Sequence, residues 1–210
     1  MTDRRSTIFL VDDDPGVLKA LTILLATSGY DVRSFSSARQ FLAQHDASVP
    51  GCAVFDVALP DLDGLELQAS LLQENVERPV IFITGFGDVP TSVRAMKAGA
   101  IDFLTKPVSD EQLLEAVARA TARDAEARKR DDELKAVTAQ LARLTPREHE
   151  VLTHVIAGRL NKQIAHDLGT VVNTIKVHRS RVMEKLGVKS VAELTRLAQQ
   201  AGIRPASGKR

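Results

Sequence analysis

The sequence predicts an α/β fold class in two parts: a doubly wound (βα)5 unit, and an all-α unit of four short helices reached through a long helix. Short apolar runs alternate with amphipathic stretches over residues 6–120, which is typical of βα repeats around a parallel sheet. Residues 115–143 contain neither Gly nor Pro, and residues 145–202 read as short amphipathic stretches separated by Gly.

Five apolar runs are predicted to be the strands of the sheet. They cover roughly 7–11, 31–35, 52–56, 80–84 and 101–104. Asp14 followed by Pro15 predicts the start of the first helix, as an N-cap with proline at the next position. Further helices are predicted at 38–44, 65–73 and 91–97, and a capping box of Ser109 and Gln112 opens the fifth.

The fifth helix is predicted to continue through residues 115–143, which we favour over a solvated charged linker. A weak heptad-like stripe runs along it: Val117, Ala120, Asp124, Ala127, Asp131, Leu134, Val137, Leu141 and Leu144. Such a helix would serve as a spacer or a dimer stalk. The predicted domains are 1–120, a helical linker 121–143, and 144–210.

Capping signals delimit the helices of the second part. Thr145 and Glu148 form a capping box with Pro146 at the first helical position. Gly158, Gly169 and Gly187 end the first three helices, and Ser190 caps the fourth. The second and third helices are separated by the turn at 168–171, so they form a helix-turn-helix candidate.

The net charge of +1 conceals a strong asymmetry between the two parts. Residues 1–120 carry 10 Lys and Arg against 17 Asp and Glu, whereas residues 144–210 carry 12 against 5. The basic half predicts an anionic partner such as nucleic acid.

The rest of the composition fits a cytoplasmic protein. The single cysteine, Cys52, lies in an apolar strand, so it cannot form an internal disulfide and is expected to be a buried apolar side chain. No run of 18 apolar residues predicts a membrane span, and the N-terminal residues carry no signal-peptide pattern. We expect no membrane association and a cytoplasmic location.

Reactive side chains stand where four of the predicted strands end. Asp12 and Asp13 follow the first strand, Asp56 ends the third, Thr84 ends the fourth, and Lys106 follows the fifth. The carboxyl ends of parallel strands gather at one edge, where such folds bind ligands. The set suits a divalent cation and a transferring phosphoryl group, with Asp56 as the acceptor.

Each side chain has a role in that hypothesis. Asp12 and Asp13 would hold Mg²⁺, Lys106 would bind a phosphoryl oxygen, and Thr84 would donate a hydrogen bond to another. Asp14 is interpreted only as a helix cap. Two further acids, Asp61 and Asp63, are interpreted as turn residues because Pro and Gly flank them.

Residues 1–120 resemble the receiver domains of two-component response regulators. The resemblance lies in Val11-Asp12-Asp13, in Asp56 with Pro60 and Gly64, in Thr84-Gly85, and in Lys106-Pro107. It implies a phosphoprotein whose Asp56 accepts phosphate from a sensor histidine kinase with Mg²⁺ as cofactor.

The resemblance also implies particular site residues. Asp13, Asp56 and the carbonyl of Ala58 would be the metal ligands, with Asp12 acting largely through water. Phe103 would be the switch aromatic, and the Lys106-Pro107 bond is expected to be cis. Ala58 and Phe86 stand where polar residues are frequent in the family, which is expected to change the lifetime of the phosphorylated state.

The third helix of the second part has the pattern of a recognition helix. Taken as a helix from 170 to 186, it places Ile175, Val182 and Leu186 on one face and a polar, basic surface on the other. The residues predicted to contact DNA are Asn173, Thr174, Lys176, Val177, Ser180, Arg179, Arg181 and Lys162. Arg159 and Lys185 flank this face as further candidate phosphate contacts.

Residues 144–186 resemble the LuxR-type effector domain, and the whole chain is similar to NarL/FixJ response regulators. The match lies in Leu144–Glu148, Asn161–Ala165, Thr174–His178 and Lys185-Leu186. Gly87–Pro90 and Val93–Ala100 resemble the FixJ and StyR members.

Two residues of this region, Val171 and His178, are not among the predicted DNA contacts. Val171 departs from the Ser or Thr that usually caps the recognition helix, a loss of about 1 kcal/mol. His178 is expected to pack within the domain, because no second metal-ligand pattern accompanies it.

The resulting hypothesis is a DNA-binding transcription factor, and not an enzyme. Phosphorylation of Asp56 would promote a homodimer that binds double-stranded DNA. An alternative is an atypical regulator that binds DNA without phosphorylation. A haloacid dehalogenase-like phosphohydrolase would need a second Asp where Ala58 stands, and a LuxR-type autoinducer sensor would have an apolar cavity in place of the acidic pocket.

Overall fold

The structure is a computed structural model that describes residues 6–85 and 89–207. The chain forms two compact units that divide between Arg128 and Lys129. The N-terminal unit is α/β and the C-terminal unit is helical. This architecture confirms the fold class predicted from the sequence.

All five strands of the N-terminal unit are parallel. They are β1 (Thr7–Val11), β2 (Asp31–Phe35), β3 (Gly51–Asp56), β4 (Val80–Thr84) and β5 (Asp102–Thr105), in the spatial order β2-β1-β3-β4-β5. The chain reverses its direction of travel across the sheet between β1 and β3. Such a reversal opens a crevice at the carboxyl ends of those two strands.

Alternating residues of the strands build a hydrophobic core on each face of the sheet. Phe9, Phe55 and Phe82 lie in one core with side chains from α2 (Ala38–Gln44), α3 (Gly64–Gln73) and α4 (Val89–Lys97). Ile8, Leu10, Val54 and Ile81 lie in the other, against α1 (Pro15–Thr27) and the first part of α5 (Asp110–Leu141). This alternation follows from the two-residue period of a strand. Burial raises the pKa of the Cys52 thiol to about 12, as expected for a cysteine used for packing.

Carboxylates cap the helices at the edge where the strands end. Asp14 accepts the N–H groups of Gly16 and Val17 at 2.7 and 3.3 Å, as predicted. Asp63 caps α3. Asp61, interpreted from the sequence as a turn residue, also accepts the N–H groups of Ala38 and Arg39 at the start of α2.

α5 is one continuous helix from Asp110 to Leu141, so the helical prediction for residues 115–143 is confirmed as far as Leu141 in place of a disordered linker. Leu113, Val117 and Ala120 are buried against the sheet. Further along the predicted heptad-like stripe, Leu134 is 46% exposed within this single chain, and a role of the stripe as a dimer stalk stays a prediction.

The C-terminal unit consists of α6 (Pro146–Ile156), α7 (Asn161–Asp167), α8 (Val172–Leu186) and α9 (Val191–Gln200). Thr145 and Glu148 form the predicted reciprocal capping box. Gly158, Gly169 and Gly187 follow α6, α7 and α8 with φ of 75°, 61° and 65°. A positive φ is strained for other residues, which explains why glycine ends these helices.

His45 ends α2 in a cationic and aromatic environment inside the N-terminal unit. Its ring packs on Phe41 and Phe9, and the Arg78 Nε–H donates to His45 Nε2 at 2.7 Å. Burial, reinforced by the charge of Arg78 and opposed by that of Asp46, lowers the pKa of His45 from 6.5 to about 4. The imidazole is therefore held in its neutral form.

This environment predicts a pH-dependent stability of the N-terminal unit. As the pH falls from 6.5 to about 4, the unfolded chain protonates His45 and the folded chain does not, so stability should fall. His45→Gln removes the titrating group. Its urea midpoint should vary less over this window than that of the wild type, and the same pH dependence in both proteins would contradict the prediction.

Candidate functional site

The side chains predicted from four strand ends meet in one pocket. Asp12 and Asp13 follow β1, Asp56 ends β3, and one ligand oxygen from each lies within 4.8 Å of the others. Asp12 is 1% exposed and Asp56 is 6% exposed, whereas Asp13 lies at the surface. The pocket stands at the β1–β3 crevice, which the sheet order creates.

Lys106 joins the two buried carboxylates. Its Nζ donates to Asp12 Oδ2 at 2.7 Å and to Asp56 Oδ2 at 2.9 Å. Its backbone N–H donates to the carbonyl of Thr84 at 2.7 Å, which attaches the loop after β5 to the end of β4. The Lys106-Pro107 bond is cis, as expected.

The electrostatics of the pocket favour a bound cation. Burial raises the pKa of Asp12, as does the charge of Asp56, and the hydrogen bonds from Lys106 and the Asp14 N–H oppose the rise. For Lys106, burial lowers the pKa, but the bonds to Asp12 and Asp56 outweigh it and leave that pKa raised. Three carboxylates therefore face one ammonium group. Their hard oxygen donors fit Mg²⁺.

The other predicted members of the pocket lie around this centre. Thr84 is 1% exposed at the end of β4. Phe103 on β5 is half-buried, with its ring centroid 6.4 Å from that of Phe82. Ala58 is exposed, and its N–H donates to Asp56 Oδ1 at 3.3 Å. Three residues named from the sequence, Phe86, Gly87 and Asp88, lie outside the described residues.

An open apolar groove beside Lys106 was not predicted from the sequence. It is lined by Val17, Ala20, Leu21, Ile83, Lys106, Pro107 and Val108. These residues come from α1, β4 and the segment before α5, which are distant in the chain. No local sequence pattern marks such a groove, because it depends on how the elements pack.

The C-terminal unit presents the predicted recognition helix, α8, with two distinct faces. Ile175, Val182 and Leu186 are buried in the core of the unit. The exposed side chains include five that were predicted to contact DNA: Asn173, Lys176, Val177, Ser180 and Arg181. Thr174 and Arg179 are half-buried, and Lys162 is exposed near the start of α7.

Three basic side chains around this face have partners inside the unit. Arg179 Nη1 donates to Asn161 Oδ1 at 3.1 Å, and Arg159 pairs with Asp167 at 2.5 Å. Lys185 pairs with the buried Glu148 at 2.6 Å and also reaches the Arg143 carbonyl. Arg159 and Lys185 therefore also have a role within the unit, and their contact with phosphates stays a prediction.

The Glu148–Lys185 pair ties the start of α6 to the end of α8. Glu148 also accepts the Thr145 N–H at 2.9 Å, and the bond from Lys185 is the main cause that lowers the pKa of Glu148 to about 2. His178 lies on α8 with its Nδ1 shielded from solvent, in keeping with the expected packing role.

Comparison with known proteins gives two family matches in different parts of the chain. Residues 8–118 match the response regulator receiver domain, and residues 142–198 match the bacterial regulatory proteins of the luxR family. The receiver match alone covers more than half of the chain, and its acidic pocket is in place. The chain is a response regulator.

Relatives of the regulator share both of its domains. Nodulation protein W of Bradyrhizobium diazoefficiens is 42% identical over 95% of this chain and 88% of its own length. The transcriptional regulatory protein FixJ of Rhizobium meliloti is 41% identical over 98% of this chain and 100% of its own. These relatives confirm the NarL/FixJ type.

Solved structures agree with this assignment. A low-resolution structure of the response regulator StyR covers 93% of this regulator and 99% of its own chain, with 41% identity and a TM-score of 0.86. Full-length FixJ from B. japonicum covers 94% and 98%, with 38% identity and a TM-score of 0.58. Among the described residues, no helix is long and apolar enough to cross a membrane.

The N-terminus of α8 carries the predicted departure at Val171. This residue occupies the N-cap position with φ −91° and ψ 150°, is 67% exposed, and makes no side-chain cap hydrogen bond. The helix nevertheless starts at Val172, close to the start expected from the sequence.

Restoring a hydroxyl at this position should stabilise the C-terminal unit of the regulator. Val171→Thr should raise its free energy of unfolding by about 1 kcal/mol, because the hydroxyl accepts a free N–H of the first turn. Thermal unfolding measures the change, with Val172→Thr as a control that adds the same hydroxyl inside the helix. An equal shift in both variants would contradict the capping explanation.

Proposed function

We propose that this response regulator is switched by phosphotransfer from a sensor histidine kinase to Asp56. The observation that carries the proposal is the position of Asp56, where a buried carboxylate meets Lys106 and two further acids at the sheet crevice. Without a paired cation, burial of this carboxylate would cost free energy. The Asp56 carboxylate is thereby oriented for attack on phosphorus.

The reaction forms an acyl phosphate on this chain. A carboxylate oxygen of Asp56 forms a bond to the phosphorus of a phosphoimidazole while the P–N bond breaks. The imidazole nitrogen leaves with the electron pair of that bond and takes up a proton. Lys106, already 2.9 Å from Asp56, supplies positive charge beside the incoming phosphoryl oxygens.

The chain provides ligands for the Mg²⁺ that this chemistry uses. Asp13, Asp56 and the carbonyl of Ala58 would hold the ion, with Asp12 acting largely through water. When bound, the ion offsets the repulsion between the carboxylates and the phosphoryl group. The proximity of the three acids supports this assignment.

Phosphorylation is proposed to change the face that includes α4 and β5. It adds about −1.5 to −2 charge at Asp56, which would draw Lys106 and Thr84 toward the phosphoryl oxygens and let Phe103 turn inward. The α4 surface carries exposed apolar side chains, since Val89, Val93 and Met96 are 74, 45 and 48% exposed. These side chains support a homodimer that forms on phosphorylation or DNA binding.

The output is proposed to be binding of double-stranded DNA by the domain at 144–210, joined by the linker at 121–143 to the receiver domain at 1–120. A dimer would present two α8 helices to paired half-sites about 34–36 Å apart. Asn173, Thr174, Lys176, Val177 and Ser180 would face the bases. Arg179, Arg181 and Lys162 would face the phosphates. Because the regulator acts on DNA, we propose a cytoplasmic location.

No separate enzymatic activity is proposed for the chain. A phosphohydrolase with an Asp nucleophile needs an acid/base group near that nucleophile. Two residues after Asp56 stands the apolar Ala58, which cannot transfer a proton.

The acceptor assignment predicts the outcome of labelling with a small phosphodonor. With acetyl phosphate and Mg²⁺, the wild-type chain should gain one phosphoryl group by intact-mass analysis, and Asp56→Asn should gain none. Asp14→Asn is the matched control, because Asn is an equally good N-cap. Full labelling of Asp56→Asn would show that another residue accepts the phosphoryl group.

The exposed face of α8 that is proposed to contact bases predicts different effects of a mutation on the affinity for specific and for random DNA. Lys176→Ala should lower the affinity for a duplex selected from a random library by about tenfold, because one base contact is worth about 1–3 kcal/mol. Its affinity for random DNA should change less. Fluorescence anisotropy measures both.

Lys189→Ala is the matched control for charge. Lys189 is exposed in the loop after α8, so its loss should reduce the two affinities to the same small extent. If Lys176→Ala behaved in the same way, Lys176 would not read bases.

A further inference from the structure

The loop between α2 and β3, residues 45–50, is fastened to α5 by an arginine from that helix. Arg128 donates from Nη2 to the carbonyls of Ala47 and Val49 at 2.8 and 3.0 Å, and from Nη1 to that of Ser48 at 3.1 Å. A planar guanidinium can hold three successive carbonyls in this way, which the single ammonium of a lysine cannot do.

Asp124, one turn earlier on α5, completes the attachment. Its Oδ2 accepts the Gly51 N–H at 2.8 Å and the Arg128 Nε–H at 2.8 Å, and the residue is only 4% exposed. A buried carboxylate is tolerated when it is paired and hydrogen-bonded, as it is here. We call this pair and its loop contacts the Asp124–Arg128 clasp.

A second arginine, Arg78, also holds this loop. Arg78 donates to the carbonyls of Asp46, Val49 and Gly51 at 3.0, 3.0 and 3.1 Å. At Gly51, φ is 137°, and a Cβ would lie 1.8 Å from the Thr7 carbonyl oxygen, so only glycine fits there. The clasp therefore attaches α5 to a loop that two arginines and a close backbone contact immobilise.

Beyond the clasp, α5 continues with little support from packing. The structure describes every residue from Lys129 to Gln140, and none of them is buried. An isolated helix shorter than about 12–15 residues is marginal in water, because its first turn is costly to form. A segment of this length persists more readily when it extends a helix that is already formed.

We propose that the Asp124–Arg128 clasp is a conformational device that keeps the linker helical. It holds the last turn of α5 that contacts the receiver, so residues 129–140 propagate from an existing helix and do not need a nucleus of their own. Opening the clasp would release this segment into a flexible tether. The proposal rests on contacts within the α5 helix and its loop, and it does not depend on phosphorylation of Asp56.

Hydrogen exchange of the full-length chain, followed by mass spectrometry, tests this device. In the wild type, peptides covering 129–140 should be protected from exchange. Arg128→Ala should raise their exchange rates by about tenfold, the effect of a loss of about 1.4 kcal/mol of local stability. Peptides from β1, β3 and β4 should remain protected, which shows that the receiver is still folded.

Two further variants make the result specific to the clasp. Arg123→Ala removes an exposed arginine from the same helix and should leave exchange at 129–140 unchanged. Arg128→Lys keeps the positive charge without the planar guanidinium and should give intermediate exchange rates at 129–140. Unchanged protection in Arg128→Ala would overturn the proposal, as would rapid exchange of 129–140 in the wild type or an equal effect of Arg123→Ala.

Discussion

The ion pairs of Lys106 with Asp12 and Asp56 are the interactions on which the rest of this regulator depends. Burial disfavours the charge of the Asp12 carboxylate and raises its pKa, and the hydrogen bond from Lys106 opposes that rise. Lys106 offsets that cost only in part, since a third acid, Asp13, lies at the mouth of the pocket. The remaining negative charge makes the site suited to a divalent cation and responsive to any new charge on Asp56.

The order of the strands in the sheet brings the residues of this pocket together. β1 and β3 are neighbours at the point of reversal, so Asp12 and Asp56 come together without long loops. Lys106 follows β5, and its backbone is bonded to the end of β4. Through this connection, the proposed change in charge at Asp56 would act on the ends of β4 and β5.

Features of the fold with a local or periodic signal could be predicted from the sequence. Apolar runs located the five strands, caps located the helices, and strand ends located the pocket residues. Contacts between residues that are distant in the chain could not be predicted. Nothing in the sequence indicates that Lys185 pairs with Glu148, or that Asp61 caps α2 from another loop. In the sequence, Asp124 is one of two acids in a mainly apolar stripe, and its partner, the Gly51 N–H, is identified only by the fold.

We propose that the acidic pocket controls DNA binding by the C-terminal domain. The most direct measurement is the dissociation constant of the full chain for its selected duplex, with and without acetyl phosphate and Mg²⁺. Coupling between two sites of one protein is typically worth about 1–3 kcal/mol, so phosphorylated protein should bind about 5- to 150-fold more tightly. Equal affinity in the two states would contradict the account and favour a regulator that binds DNA without phosphorylation.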